Sequence, residues 1–370
     1  MKLTVIISLE SSWSRDIVKY FIEKGVDIYA LDISARNGYQ AGNKNKKNTA
    51  EIEYFKSKLA YYEHITPGNG LFKIIKIALA IRKLKSTYGT SVIFSCYAGL
   101  SAPAAFLSFI RPYYIYIVGS DVLYLNMYKK LLYKYSFSNA SIIFSNGKHL
   151  INHTERFFSA GNYSLNYIGI NTSVVNSHFI TKPYSSKLKF ICTRGFEEVY
   201  NNLFILKSFA LLPAETLEKV TLTFTSAGNL LQEAKEYAHT AFCDSLQPNF
   251  VFLGGISYEG IIAQLCESDI YLSLSISDGI SLSLLEAMYI GLFPVVSDID
   301  GNREVVNDGI FVSPFSEIEF SAVLADIINN KTSFERYNPA VNKQRVETEF
   351  QLANNIEKVY TAISVNIIKA

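Results

Sequence analysis

The chain has 370 residues, enough at about 150 residues per domain for two domains. Hydrophobic residues make up 49% and charged residues 18%, with 9 prolines, which excludes a disordered or collagen-like chain. The formal net charge is only +2, and the four cysteines (Cys96, Cys192, Cys243, Cys266) form no CxxC pair and no Cys/His cluster; this speaks against a structural zinc or a disulfide-stapled secreted domain and fits a reducing compartment.

In chain order, the apolar run Leu3–Ser8 is too short for a signal-peptide core and reads as a buried first strand. A helix over Ser14–Lys24 ends at Gly25, and Asp27–Asp32 is the next strand. A polar loop rich in Asn and Lys (Asn37–Asn48) comes before a basic helix, Phe72–Tyr88, and the strands Ser91–Ser95 and Tyr113–Val118. The aromatic helix Tyr124–Phe137 interleaves Lys129, Lys130 and Lys134 with rings, and the strand Ala140–Ser145 follows it. The segment TKPYSSKLK, Thr181–Lys189, is the expected linker. Beyond it, strands at Lys189–Thr193, Val220–Ser226, Phe250–Leu253, Ile270–Leu274 and Pro294–Ser297 alternate with helices at Asn202–Leu211, Leu230–Ala241, Glu259–Glu267, Ser281–Ile290 and Ile318–Asn329. No stretch approaches the roughly 20 apolar residues of a membrane-spanning helix.

Strands alternating with helices predict parallel sheets covered on both faces. The expected fold is α/β, with two Rossmann-like domains facing across a cleft, at 1–183 and 184–338, and a helical tail, 339–370, returning to the first domain. Ligands in such sheets lie beyond the carboxyl ends of the strands. The two halves differ in charge. Residues 1–183 hold 22 Lys+Arg against 10 Asp+Glu, a net +12, whereas residues 184–370 hold 13 against 23, a net −10. Cations beside Tyr, Phe and Leu in the first half suit an anionic membrane surface; equally, the two basic helices are ordinary ones packing their stripes inward. No zinc-finger, RRM-like or helix-turn-helix pattern accompanies the charge, so nucleic acid is not expected.

The most informative stretch is Phe250–Pro314. A buried strand ends in the polar loop SISDGIS, and a helix then starts near Ser281 and ends at Gly291, with Pro294 just beyond. Backbone N–H groups of Ser281, Leu282 and Ser283 at such a helix start favour an anionic group such as a diphosphate. Asp278 precedes the helix and Glu286 lies inside it, eight positions on, so one carboxylate suits a sugar hydroxyl and the other a ribose diol. Each has a plainer reading. Asp278 is also a common turn residue before Gly279, and Glu286 closes a capping box with Ser283.

The run Asp278-Gly279-Ile280-Ser281-(x4)-Glu286-Ala287-Met288, followed by Gly291, Pro294-Val295-Val296 and Gly301-x-x-Glu304, resembles the E-x7-E region of retaining family-4 glycosyltransferases with the GT-B fold. Upstream, SAGNLLQEAKEYA (Ser226–Ala238) resembles that family's G-x-G-P loop, with Gly228 retained. FICTRGFEEVYNN (Phe190–Asn202) resembles its strand–Arg loop, with Arg194 in the place of the phosphate-binding arginine. The loop Gly119-Ser120-Asp121 resembles the family's H-G-x-D loop, with Val118 where a histidine often sits. Three features depart from the family: Asp278 replaces Glu, Tyr200-Asn201-Asn202 stands where a lysine is usual, and SLESSW (Ser8–Trp13) lacks a glycine pair.

The resemblance implies a retaining hexosyltransferase, moving sugar from a nucleotide diphosphate sugar, UDP favoured, to a carbohydrate acceptor. Donor binding falls to Arg194, Gly228, Gly279, Ile280, Ser281, Leu282 and Glu286, and catalysis to Asp121 and Asp278. Gly119 and Ser120 belong to the acceptor-side loop. Asp121 alternatively reads as the N-cap of the helix after it. Asp298-Ile299-Asp300 spells the metal signature of a different glycosyltransferase fold but falls in a turn of this one, and the five histidines show no ligand spacing. No metal and no cofactor beyond the sugar nucleotide are expected. The setting implied is bacterial O-antigen, capsule or other surface polysaccharide synthesis on a lipid-linked acceptor, in the cytoplasm or at the inner face of the membrane. The alternatives are a GT-B sugar-nucleotide epimerase and a non-catalytic carbohydrate-binding or scaffold protein of the same fold.

Overall fold

The structure is a computed structural model that describes residues 1–34, 46–66, 70–180, 185–330 and 332–367. The chain forms two compact units, Met1–Ile168 with Leu352–Ala370, and Gly169–Gln351. Each is built on one parallel sheet, so the expected pair of Rossmann-like α/β units is present.

The first unit holds β1 (Lys2–Ile7), β2 (Asp27–Asp32), β3 (Tyr61–His64), β4 (Val92–Ser95), β5 (Tyr113–Ile117), β6 (Ile142–Ser145) and β7 (Tyr163–Leu165), in the order β3-β2-β1-β4-β5-β6-β7. Its inner strand β5, YYIYI, is buried at every residue, as a parallel strand covered on both faces must be. Three of those residues are tyrosines, and two give their hydroxyls to backbone carbonyls: Tyr113 to Ser136 and Tyr116 to Asn166. Satisfying the hydroxyls lets the rings stay in the core.

The second unit holds β8 (Leu188–Cys192), β9 (Val220–Phe224), β10 (Phe250–Phe252), β11 (Ile270–Ser273), β12 (Phe293–Ser297) and β13 (Ile310–Val312), in the order β10-β9-β8-β11-β12-β13. The chain runs outward from β8 to β10, then returns to β11 on the other side of β8. That reversal makes the carboxyl ends of β8 and β11 the topological switch point, where such sheets bind ligands.

The unit boundaries differ from the expected 183 and 338. Residues 181–184 of the expected linker lie outside the described residues. The helix Thr172–Ser177, before that segment, already packs with the second unit: Tyr289 OH donates to Asn176 Oδ1 at 3.1 Å. The helix Pro339–Glu349 packs against Leu282–Ile290 of the same unit, so only the last helix, Leu352–Ile367, belongs to the first. There it lies on Ser12–Glu23, with Tyr360 edge-on to Phe21 at 5.4 Å and Val359 and Ile363 fully buried. The expected return of the tail is therefore observed, starting later than 339.

Short elements without clear periodicity were not legible in the sequence: β3 (YYEH), the helix Ser101–Leu107 with Pro103 in its first turn, β7 and β13. The polar loop 37–48 lies outside the described residues as far as 45, and the helix Lys46–Ser57 takes its end. Among the described residues no helix is long and apolar enough to cross a membrane.

Candidate functional site

At the switch point of the second unit, β8 ends at Cys192 and delivers Arg194 two residues later; its neighbour β11 ends at Ser273 and leads through Asp278 to Ser281. The two loops meet. Arg194 Nη2 donates to Asp278 Oδ2 at 2.6 Å, and Nη1 to Ser281 Oγ at 3.0 Å. The guanidinium also lies over the Tyr200 ring, 4.2 Å from its centroid, while its Nε is buried without a partner. Asn202, the first residue of the helix Asn202–Ala210, fixes this loop by donating to the carbonyls of Arg194 (3.1 Å) and Gly195 (2.9 Å).

Ser281 caps the helix Leu282–Ile290, its Oγ accepting from the Leu284 N–H at 3.3 Å, and Gly291 closes the other end at φ +103°. The N–H groups of the first turn have no intrahelical acceptor, so they carry the positive end of the helix dipole toward Arg194. Behind the cap runs a chain of hydroxyls. Tyr271 OH lies 3.1 Å from Thr193 Oγ1 and 2.8 Å from Ser283 Oγ, which is 3.1 Å from Ser281 Oγ. Burial raises the Tyr271 pKa, so this hydroxyl stays protonated and serves as a fixed post between the two loops.

Glycines allow two close approaches. Gly228 sits at φ +156°, and a Cβ there would fall 2.4 Å from the Phe196 backbone nitrogen. The loops after β8 and β9 can therefore zip together, Phe196 N to Ala227 O at 3.0 Å and Leu230 N to Phe196 O at 2.8 Å. Gly301 presses on the Asp278–Gly279 loop from the far side, where a Cβ would meet the Gly279 carbonyl at 2.2 Å. Gly301→Ala should thus displace that loop, lowering stability by about 1–3 kcal/mol. A thermal melt checks this, and an unchanged midpoint would mean that the loop yields freely.

Glu286 is 8% exposed inside the helix, and its Oε1 accepts from Tyr258 OH at 2.9 Å. Burial raises its pKa to about 7, against the opposing pull of the Tyr258 hydrogen bond. A carboxyl poised there is half-ionised near neutrality. Its bond goes to Tyr258 rather than into the capping box with Ser283. Of the other expected donor residues, Gly279 donates its N–H to Asp278 Oδ1 at 2.9 Å, and Ile280 is buried beside it. Thr225 Oγ1 after β9 and Ser275 Oγ after β11 are, like Arg194 Nε, buried and without a partner.

Asp121 belongs to the first unit. It is 1% exposed, with Oδ1 accepting from Val118 N (3.2 Å) and Gly119 N (2.9 Å) and Oδ2 from Ala98 N (3.1 Å). These bonds tie the loops after β4 and β5 together. The catalytic role expected of Asp121 does not suit a carboxylate so enclosed, nor is it the N-cap, a place that Gly119 takes at φ +147°. Ser120 Oγ pairs with Tyr97 OH at 3.1 Å. In the DID sequence, Asp298 is engaged by Arg303, Nη2 to Oδ2 at 2.7 Å. Among the described residues no group of three or more His, Cys, Asp or Glu is placed to hold a metal.

The sequence missed Tyr258 and Tyr271, and it names Tyr200 and Ser283 without the side-chain contacts they make here. Tyr271 is in an apolar parallel strand, where a tyrosine reads as core. Tyr200 stands where the family's lysine is usual; it supplies a ring face to Arg194 in place of a second cation.

Residues 175–344 match the family described as Glycosyl transferases group 1. Over 255 residues the chain is 27% identical to an uncharacterized glycosyltransferase of Methanocaldococcus jannaschii, a match covering 65% of this chain and 57% of that protein, little more than half its length. Among solved structures, sucrose-phosphate synthase of Thermosynechococcus elongatus superposes with a TM-score of 0.78 at 13% identity, over 100% of both chains. The Anabaena protein HepE, in complex with UDP-glucose, superposes with a TM-score of 0.73 at 14% identity, over 99% of this chain and 100% of that one. At these identities the structural likeness is one of fold.

Proposed function

We propose that this chain, whose residues 175–344 match the group 1 glycosyltransferase family and whose fold has GT-B neighbours, transfers a hexose from a nucleoside diphosphate sugar to a carbohydrate acceptor with retention at the anomeric carbon. One observation carries the reading: Arg194 is held at the start of the helix Leu282–Ile290 by Ser281 and Asp278, with Glu286 buried farther along that helix. A guanidinium beside a helix N-terminus is a site for a diphosphate. The charge of the leaving diphosphate grows in the transition state, and dipoles already aimed at it lower the barrier without reorganising.

Asp278 is paired with Arg194. A diphosphate takes its place on the guanidinium, and the freed carboxylate is left to meet hydroxyls of the donor sugar. Glu286, as the carboxylate, accepts from the ribose diol. UDP is favoured as the nucleotide, a choice supported by the fold shared with HepE, which was solved with UDP-glucose. The acceptor is a surface polysaccharide intermediate carried on lipid.

Incubation with a panel of UDP-, GDP- and ADP-sugars and oligosaccharide acceptors, followed by nucleotide release, tests the reading. Acceptor-dependent release of one nucleoside diphosphate is expected; isomerisation of the sugar without release would mark an epimerase, and inertness toward the whole panel a binding protein. Turnover should persist in EDTA, because Arg194 and helix-terminal N–H groups hold the diphosphate. Loss of turnover in EDTA with recovery in Mg²⁺ or Mn²⁺ would show that a cation does so instead.

A further inference from the structure

We propose that the outer faces of the helices Gly70–Tyr88 and Met127–Ser138 in the first unit together form a docking surface for an anionic lipid bilayer. This goes beyond sugar transfer and does not depend on it. Helix Gly70–Tyr88 buries Ile74, Ile77, Ile81 and Leu84 against the sheet, which accounts for one apolar stripe. A second stripe, Phe72, Ile75 and Leu79, recurs at helical spacing on the outside, with Phe72 70% exposed. On Met127–Ser138 the same holds for Leu131, 62% exposed, and Tyr135.

The two helices flank Ser101–Leu107 on one side of the sheet, and side chains join them across it. Phe106 stacks on Tyr135 at 6.2 Å, and Arg82 donates to the carbonyls of Leu107 (2.9 Å) and Ser108 (3.1 Å) while lying 5.2 Å from the Phe109 ring centroid. Phe109 itself is 72% exposed. These contacts place the exposed apolar side chains of the two helices and Phe109 on the same side of the sheet.

Charge identifies the occupant. Between Glu63 and Glu155 the sequence holds ten Lys and Arg, and its single acid is Asp121, buried on backbone N–H groups. Exposed apolar side chains beside exposed lysines, on two helices that carry no acidic residue, match the interface of an anionic membrane, where apolar side chains enter among the acyl chains and long cationic stems reach the headgroups. A protein partner fits less well, since lysine is depleted at protein interfaces and Lys76, Lys83, Lys85 and Lys134 are all exposed here.

The test is sedimentation of the full chain with vesicles of phosphatidylcholine, with and without phosphatidylglycerol. Two variants are compared with the wild type, Lys76→Ser with Lys83→Ser and Lys134→Ser, and Phe72→Ser with Leu131→Ser. All five positions are exposed, and Lys130 is left alone because it packs 3.9 Å over the Phe157 ring. The wild type should pellet with the anionic vesicles at low salt and be released as salt rises. The triple change should weaken partitioning by roughly a hundredfold, and the apolar pair by about tenfold at unchanged charge. Thermal melts and UDP binding, measured in parallel, should stay at wild-type values, so loss of docking is distinguishable from failure of the donor site. The proposal is overturned if the wild type ignores anionic vesicles at low salt or if the apolar pair pellets like the wild type. It is equally overturned if the wild type sediments as a dimer that the apolar pair dissolves, which would make the patch a contact between copies.

Discussion

Arg194→Ala is expected to lower nucleoside diphosphate affinity by about a hundredfold, the largest effect of any single change in the second unit. The guanidinium makes two charge-assisted contacts, to Asp278 and Ser281, and both donors are placed to turn to phosphate oxygens. Such bonds contribute about 1.5–3 kcal/mol each. Asp278→Asn separates two roles that the ion pair combines. It removes the carboxylate competing for Arg194, so UDP should bind as tightly as to the wild type or more so, while sugar turnover falls. Calorimetric titration with UDP, beside turnover of the working UDP-sugar, reads both. A parallel loss of UDP affinity in Asp278→Asn would mean that Asp278 holds Arg194 in its binding pose rather than masking it.

The second large effect is that of Glu286→Gln, and it depends on pH. With its pKa raised by burial from 4.5 to about 7, the folded protein keeps this proton where the unfolded chain releases it. The neutral carboxyl has no such cost below pH 4.5; stability is then lost as pH rises toward 7 and stays lost above it. At about 1.4 kcal/mol per pKa unit, the loss is on the order of 3 kcal/mol. Glutamine is neutral throughout, so the variant should match the wild type near pH 4.5 and melt higher at pH 8. Nucleotide binding should move the opposite way. The wild type gains affinity between pH 6 and 8 as the carboxylate forms to accept the ribose hydroxyls, whereas the variant stays flat and ten- to a hundredfold weaker at pH 8. Paired melts and titrations across that range check both, and a variant that binds UDP like the wild type at pH 8 removes Glu286 from the ribose site.

The contrast between Glu286 and Asp121 shows what the sequence made legible. The helix Leu282–Ile290 is legible through a serine cap, a largely apolar run, a glycine at its end and a proline beyond, all local signals. The structure keeps that helix within a residue of its expected start. The expectation for Asp121 rests on its loop alone. Its burial depends on Ala98, a residue in another loop that only the pairing of β4 with β5 brings near. The same limit hid the Arg194–Asp278 pair, eighty-four positions apart in the chain and adjacent because β8 and β11 are neighbours. The first unit boundary expected from sequence rests on a Pro/Ser/Lys segment, a compositional signal. The structure sets it by packing instead, through Asn176 on Tyr289 and the pairing of Ile170 with Gln351.

A crystal structure of the protein soaked with UDP tests the central claim most directly. The account predicts the diphosphate within hydrogen-bond distance of the Arg194 guanidinium and of the N–H groups opening the helix Leu282–Ile290, with the ribose on Glu286 and the Arg194–Asp278 bond opened. Nucleotide bound away from these residues, or at them with the Arg194–Asp278 pair intact, would contradict it.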